Sequence, residues 1–150
     1  MHHPFFVYGT LKPGEPNYIR LLAGHTTGEE SAIFPTAALY TAGTSPFMVT
    51  DQDLVAPGDQ VSGTIISVAD TDYPQILTML DQLEGYQCEG MPNTYERLLL
   101  LVETSAGPRQ AWVYLAGREA LNSIRDGQLR KLPDGNWQSD AAAVAYWRNQ

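Results

Sequence analysis

The sequence predicts a single α+β domain in which mainly antiparallel strands outnumber the helices. Short runs rich in β-branched and aromatic residues alternate with clusters of Gly, Pro, Asp and Ser. Most connections between these runs are too short for a crossover helix, so antiparallel pairing should dominate. The chain has 150 residues and no internal repeat. We therefore expect one domain over residues 1–150, long enough to bury a core without disulfides.

The elements are predicted in chain order from local patterns. Phe5 to Tyr8 is typical of a strand, and Asn17 is expected to cap a short helix over Tyr18–Leu22 that Gly24 ends. Further strands are predicted at Thr36–Tyr40, Phe47–Val49, Gly63–Val68, Tyr95–Glu103 and Gln110–Leu115.

The last two strands form the clearest hairpin, with residues 104–109 as its loop. Leu98–Val102 is apolar on both faces, which favours a central strand covered on two sides or a small closed barrel. Beyond Gly117 we expect a surface excursion over Leu132–Asp140 and an alanine-rich helix near Ala141–Arg148.

Composition excludes several classes of partner. Acidic residues outnumber basic ones 17 to 9 without a basic cluster, so nucleic acid and acidic membrane surfaces should be repelled. One cysteine, Cys88, allows no internal disulfide. Residues 1–4 lack the pattern of a secretion signal, and no later stretch approaches the roughly 20 apolar residues of a membrane span. We expect a soluble cytoplasmic protein that binds neither nucleic acid nor membranes.

The loop after the first strand is the first candidate site. Gly9 lets the backbone approach a ligand, and the prolines and glycine that follow break regular pairing, so the amides of Gly9, Thr10 and Leu11 need another partner. An anionic group of a small substrate would suit them. A tight strand-to-helix connection is the alternative. A phosphate-binding loop is excluded because Glu15 and Pro16 replace the required lysine and hydroxyl.

The second candidate site residue is Glu84, which lies on a helix whose start and end can both be predicted from the sequence. Thr71 or Asp72 can cap the helix, Pro74 fits its first turn, and Gly85 ends it. Its apolar face comprises Ile76, Leu77, Leu80 and Leu83. The negative helix end and the apolar surroundings should both raise the pKa of the Glu84 carboxyl, as a general base acting near neutral pH requires, although many such glutamates are simply solvated.

Other residue types are weaker candidates. Tyr95 and Arg97 lie on the same face of a strand. They would either orient a substrate or brace the Glu84 pocket, or they are a packed tyrosine and a surface ion pair without a role in the site. No histidine follows Cys88, which argues against a catalytic thiol, and the three histidines lack metal-ligand spacing. Four aromatic residues are expected to be packing residues: Trp112, Tyr114, Trp137 and Trp147.

Four segments together resemble the γ-glutamylcyclotransferase-like superfamily, and most strongly γ-glutamylamine cyclotransferase and its plant and bacterial relatives. They are YGTLKPGEPN, LDQLEGY, YERLLLLVE and AWVYLAG, and they extend over about residues 5–117. The resemblance implies a compact, mainly antiparallel β-barrel flanked by a few helices, a small-molecule γ-glutamyl substrate and no cofactor. It also implies that Tyr8, Gly9, Thr10 and Leu11 hold the γ-glutamyl group and that Glu84 is the acid/base. The loop over 85–94 is longer than in amine-specific members, and residues beyond 117 match nothing, so substrate choice stays open.

The implied reaction is the cyclisation of a γ-glutamyl amide. The substrate's own α-amine attacks its γ-carbonyl, forming 5-oxoproline and releasing an amine, so neither a metal nor a covalent nucleophile is needed. Positioning the two groups supplies on the order of 7 kcal/mol or more. The fold is also compatible with a sensor or scaffold that binds a γ-glutamyl compound or another small carboxylate without turnover, or with a purely structural role.

Overall fold

Five strands close a small barrel. The computed structural model describes residues 2–150. Around the barrel the order is β1-β5-β2-β6-β7, and β1 closes it by pairing with β7 through Phe5 and Trp112. The barrel strands are β1 (Phe5–Val7), β2 (Thr26–Pro35), β5 (Gln60–Val68), β6 (Tyr95–Thr104) and β7 (Gly107–Ala116).

Three further strands continue the sheet from β7 in the order β4-β3-β8. They are β3 (Ala38–Thr41), β4 (Pro46–Val49) and β8 (Arg130–Leu132). Pairing is antiparallel except for β1 with β7 and β4 with β7, so the predicted fold class is confirmed.

Four α-helices flank the sheet: α1 (Pro16–Leu21), α2 (Tyr73–Glu84), α3 (Arg118–Arg125) and α4 (Ala141–Arg148). A 3₁₀ turn, Gln52–Leu54, follows β4. In the described part of the chain, no helix has the length and apolarity needed to span a membrane.

The core lies in two main layers. One cluster fills the barrel, with fully buried Phe6, Val61, Ile65 and Val113. A second cluster lies between the barrel and the apolar face of α2, whose Ile76 and Leu80 are buried as the helical spacing predicted. Burial of each such side chain contributes about 1.5–3 kcal/mol, so this face fixes α2 against the barrel.

The strands differ from the prediction in two places, one strand that was missed and one turn that is shorter than expected. β2 was not predicted: only Ala32 on it is buried, and it is held by its continuous pairing with β5 rather than by an apolar face. The β6–β7 hairpin is tighter than expected, because Thr104 pairs with Gly107, whose φ of 108° closes a turn at residues 105–106.

Of the two alternatives predicted for the leucine run, the small closed barrel is confirmed, and a central strand covered on two sides is wrong. Leu98 and Leu101 are 46% and 58% exposed, so this strand lies partly at the surface of the barrel. Asn17 does not cap α1 either. Glu15 occupies the N-cap, and Asn17 is buried in the first turn, where its Nδ2 donates to Thr10 Oγ1 at 2.8 Å.

The C-terminal third is more structured than predicted. α4 has the predicted bounds, but α3 and β8 were missed. The segment 132–140 is not merely a surface excursion, because Trp137 is 3% exposed and belongs to the barrel core. Its indole Nε1 donates to Glu15 Oε1 at 3.0 Å, which ties the segment to the start of α1.

Candidate active site

Six of the predicted site residues line one cavity at the end of the barrel. They are Tyr8, Gly9, Thr10, Leu11, Glu84 and Tyr95. The cavity has a volume of about 50 Å³, which is room for about four waters. Arg97, predicted as a supporting residue, does not line it. A space of this size fits a small acyl group.

Glu84 is the acidic residue of this cavity. It is the last residue of α2, and Gly85 ends the helix with a left-handed φ of 66°. Tyr86 N donates to Asp81 O and Gly85 N to Gln82 O, so the backbone closes the helix and leaves the Glu84 side chain free to face the cavity.

The environment of the Glu84 carboxyl disfavours its charge. Among residues 2–150 no side chain or backbone group is within hydrogen-bonding distance of the carboxyl with suitable geometry, and the side chain is half-buried beside Leu83 and Tyr95. Burial raises the pKa of Glu84 from 4.5 to about 8. The direction is the one expected from the sequence, and desolvation is its cause.

The loop after β1 lines the same cavity and carries backbone donors without a partner among residues 2–150. The hydrogen bonds of the described residues include none donated by the amides of Gly9, Thr10 or Leu11. The loop is nevertheless fixed, because Thr10 O accepts from Asn17 N and Tyr18 N at 3.1 and 3.2 Å. Three unpaired amides on an immobile loop can receive a carboxylate or a developing oxyanion.

Gly9 is required by close packing rather than by its φ angle. A Cβ at this position would lie 2.8 Å from Pro46 Cδ and 2.9 Å from Pro46 Cγ. Pro46 lies across the cavity loop at the start of β4 and was not predicted as a site residue. The glycine therefore permits the contact between these two cavity walls.

The hydroxyls of Tyr8 and Tyr95 are bonded to backbone atoms. Tyr8 donates to Tyr114 O at 2.5 Å and accepts from Met48 N at 3.3 Å. Tyr95 donates to Pro46 O at 2.8 Å. Burial raises the pKa of both phenols, and the Glu84 charge adds to this rise. Both tyrosines therefore shape the cavity and stay neutral, with their hydroxyls bonded to the main chain.

A third tyrosine links the cavity to Arg97. Tyr114 lines the cavity and donates to Asp81 Oδ1 at 2.6 Å. Arg97 Nε lies 3.0 Å from the same oxygen as an ion-pair contact without hydrogen-bond geometry. The guanidinium also stacks 4.4 Å from the centre of the Trp112 ring. Arg97 thus braces Asp81, one turn before Glu84, and sequence reasoning did not identify Asp81.

The lining contains no lysine or arginine and no cysteine or histidine. Cys88 is exposed outside the cavity. Within residues 2–150 no group of three His, Cys, Asp or Glu side chains is arranged to hold a metal ion. The polar groups of the cavity that have no hydrogen-bond partner among the described residues include the Glu84 carboxyl and the loop amides.

Residues 5–139 match the family model described as γ-glutamyl cyclotransferase, AIG2-like. The chain belongs to the AIG2-like γ-glutamyl cyclotransferase family. The match includes the loop after β1, α2 and the β6–β7 hairpin, the elements that build the cavity.

Individual relatives of this AIG2-like chain agree with the match. The chain is 34% identical over 109 residues to gamma-glutamylaminecyclotransferase B of Danio rerio, covering 68% of this chain and 50% of that protein. It therefore spans about half the length of that curated relative. An AIG2-like protein from Mus musculus is similar in structure, with a TM-score of 0.57, 30% identity, and coverage of 80% of this chain and 84% of the mouse chain.

YkqA from Bacillus subtilis is also similar, with a TM-score of 0.63 and 25% identity. The similarity covers 91% of this chain and 40% of YkqA. The predicted resemblance to the cyclotransferase superfamily is therefore confirmed.

One wall of the cavity in this AIG2-like chain lies outside the family match. Trp147, on α4, lines the cavity and donates from Nε1 to Thr44 O at 2.7 Å. The sequence predicted it as a packing residue. Nothing in the local pattern of an alanine-rich helix indicates that its tryptophan reaches a site built mostly from residues 6–11 and 83–95.

Proposed function

We propose that this protein is a γ-glutamyl cyclotransferase that converts a γ-glutamyl amide into 5-oxoproline and a free amine, with Glu84 as general base and acid. The observation that carries the proposal is the unpaired Glu84 carboxyl, with its pKa raised to about 8, in a small cavity that is also lined by Gly9–Leu11, whose amides have no partner among the described residues. Family membership and the Danio rerio relative support the reaction class.

The reaction moves two protons from the α-nitrogen, which enters as an ammonium and ends as a lactam N–H, to the departing amide nitrogen, which leaves as an ammonium. The α-nitrogen attacks the γ-carbonyl carbon, a C–N bond of the lactam forms, and the original amide C–N bond breaks. Glu84 takes one proton from the α-ammonium before the attack and a second when the attacking nitrogen becomes the lactam N–H, and it passes each of them to the departing nitrogen. The protein ends each turnover in its starting protonation state.

The raised pKa makes this proton transfer nearly balanced. An α-ammonium with a pKa near ~8 would lose its proton to an ordinary glutamate, near ~4.3, at a cost of about 5 kcal/mol. With the pKa of Glu84 at about 8, the transfer costs about zero. The cavity thus supplies through desolvation most of the free energy that the proton step requires.

The loop amides supply binding or charge stabilisation. Because no lysine or arginine lines the cavity, an anionic group placed there must be received by backbone N–H groups. The amides of Gly9, Thr10 and Leu11 would bind the substrate's α-carboxylate or the oxyanion that develops on the γ-carbonyl.

The test is product formation from a panel of γ-glutamyl amides, with 5-oxoproline measured by mass spectrometry. The panel contains γ-glutamyl amino acids, glutathione, γ-glutamyl-ε-lysine and a γ-glutamyl alkylamide. We expect turnover of at least one compound by wild type and no measurable product from Glu84→Gln, which keeps size and polarity but accepts no proton.

Glu119→Gln is the matched control, because it removes the same charge from an exposed position on α3, outside the cavity. It should turn over like wild type. Saturable binding of the panel without product, or near-normal product from Glu84→Gln, would contradict the assignment.

A further inference from the structure

A groove between α1 and α4 opens beside the cavity. Its walls include Glu15, Ile19 and Arg20 of the first helix region and Val144, Trp147 and Arg148 of α4. Its volume is about 450 Å³, against about 50 Å³ for the cavity. Trp147 lines both spaces, so the groove and the cavity are neighbours at this indole ring.

The cavity is too small to hold a whole γ-glutamyl substrate, so part of the substrate lies outside it. Room for about four waters accommodates the reacting end of a γ-glutamyl amide but not a complete γ-glutamyl dipeptide. The portion that leaves as the free amine therefore has to lie in an adjoining space. The α1–α4 groove adjoins the cavity and is large enough.

The groove carries positive charge in an acidic chain. Arg20 and Arg148 face it, whereas the whole chain has a net charge of −8. Glu15, the acidic residue of the groove, already accepts from Trp137 Nε1 at 3.0 Å and Ser139 Oγ at 2.5 Å. The groove keeps an excess of one positive charge among its lining residues.

The two arginines differ in their existing contacts. Arg20 Nη2 donates to Asn17 Oδ1 at 2.9 Å, which leaves its other donors available. Arg148, in the last turn of α4, makes no hydrogen bond or ion pair with another described residue. Ile19, 63% exposed, and Val144 add apolar surface next to these charges.

We propose that the α1–α4 groove binds the leaving amine of the substrate and selects amines that carry a carboxylate, with Arg148 and Arg20 as the receiving side chains. This inference rests on the proposed cyclotransferase function and narrows its substrate class to γ-glutamyl amino acids and peptides. Trp147 packs against the leaving group at the boundary between groove and cavity. Arg20 lies within the family match, whereas α4, which carries Arg148, begins after residue 139, where that match ends.

The test compares two substrates that differ in one carboxylate, γ-glutamyl-alanine and γ-glutamyl-ethylamide. The readout is the ratio of their kcat/KM values, from initial rates of 5-oxoproline formation. Wild type should prefer γ-glutamyl-alanine severalfold. Arg148→Gln should lower the ratio by about three- to fivefold, the range of an exposed charge pair, whereas Arg148→Lys should retain most of it.

Arg118→Gln is the matched control, because it removes an exposed arginine from α3, away from the groove. Its ratio should equal that of wild type. Added salt should reduce the wild-type ratio and affect the Arg148→Gln ratio less, since screening weakens an exposed pair.

The outcomes separate the two proposals. If wild type turns over both substrates with a ratio near one, the groove inference is wrong and the cyclotransferase proposal stands. If Arg148→Gln lowers both kcat/KM values equally, Arg148 binds a group common to both substrates, and the inference is likewise overturned. If neither substrate nor any other γ-glutamyl amide yields 5-oxoproline, the proposed function is wrong, and the groove inference, which rests on it, is wrong as well.

Discussion

Replacing Glu84 with glutamine should stabilise the protein above neutral pH and leave its stability near pH 4 unchanged. The reason is proton linkage. A carboxyl whose pKa is higher in the folded state than in the unfolded chain holds its proton more tightly when folded. Between the two pKa values the folded state therefore binds more protons, and the free energy of unfolding falls as the pH rises. Glutamine carries no such proton, so the variant lacks this decline.

The size of the effect follows from the pKa of Glu84. A rise from 4.5 to about 8 corresponds to at most about 5 kcal/mol, reached once the pH exceeds 8. Because the side chain is half-buried and the cavity admits solvent, part of this penalty is relieved by water. We expect Glu84→Gln to raise the free energy of unfolding by about 2–3 kcal/mol at pH 8.5, and by less than about 0.5 kcal/mol at pH 4.5.

Urea unfolding at these two pH values, followed by tryptophan fluorescence and circular dichroism, measures the difference directly. All other titrating groups are shared by the two proteins, so their contributions cancel in the comparison. Glu119→Gln, which removes an exposed carboxylate, should differ from wild type by a small amount that is the same at both pH values. A Glu84→Gln variant that is less stable than wild type at pH 8.5 would refute the claim that this carboxyl is held where its charge is disfavoured.

Three other predictions concern catalysis and binding. The pH profile of kcat/KM should be bell-shaped with its maximum near pH 8, because the reaction needs one proton shared between Glu84, with a pKa of about 8, and the substrate α-ammonium near ~8; a rate that still climbs at pH 10 would contradict this. Gly9→Val should weaken 5-oxoproline binding by at least about tenfold in calorimetry, because its Cβ would lie 2.8 Å from Pro46 Cδ. Thr10→Ser keeps every amide and should bind within about twofold of wild type. Equal affinities of Gly9→Val and wild type would exclude the loop from the site. Tyr114→Phe removes the hydroxyl that donates to Asp81 Oδ1 on α2 at 2.6 Å. It should lower the free energy of unfolding by about 1–2 kcal/mol and reduce kcat. An unchanged kcat would show that this bond does not position α2.

The parts of the site that the sequence predicted are those determined by local chemistry. Helical spacing and the terminating Gly85 place Glu84 at the end of α2, and the structure has that helix end with φ of 66°. The Pro/Gly pattern after β1 predicted amides of Gly9 to Leu11 without sheet partners, and none of them donates a hydrogen bond within the described residues. The catalytic and binding roles of these residues stay predictions until the variants are measured.

The parts that escaped sequence reasoning depend on contacts between distant segments. Asp81 lies within the LDQLEGY segment, but the sequence did not indicate its partner, because its bond to Tyr114 exists only where α2 packs across β7. Trp147 reaches the cavity because α4 lies against α1. β2 was missed because a barrel strand can be held by backbone pairing along most of its length while Glu29 is exposed and Glu30 half-buried.

The position of Glu84 is maintained by residues that do not line the cavity. Ile76 and Leu80, 3% and 0% exposed, pack α2 onto the barrel, and at about 1.5–3 kcal/mol each they are comparable with the largest penalty that the ionised Glu84 imposes. Thr94 N donates to Gly85 O at 3.1 Å and joins the helix end to the start of β6. Because the packing energy comes from one face of α2 and the proposed proton chemistry from its last residue, the fold can hold a carboxyl at a pKa of about 8 without loosening the helix that carries it. Substitution of Glu84 can therefore change the proton chemistry while the cavity keeps its shape.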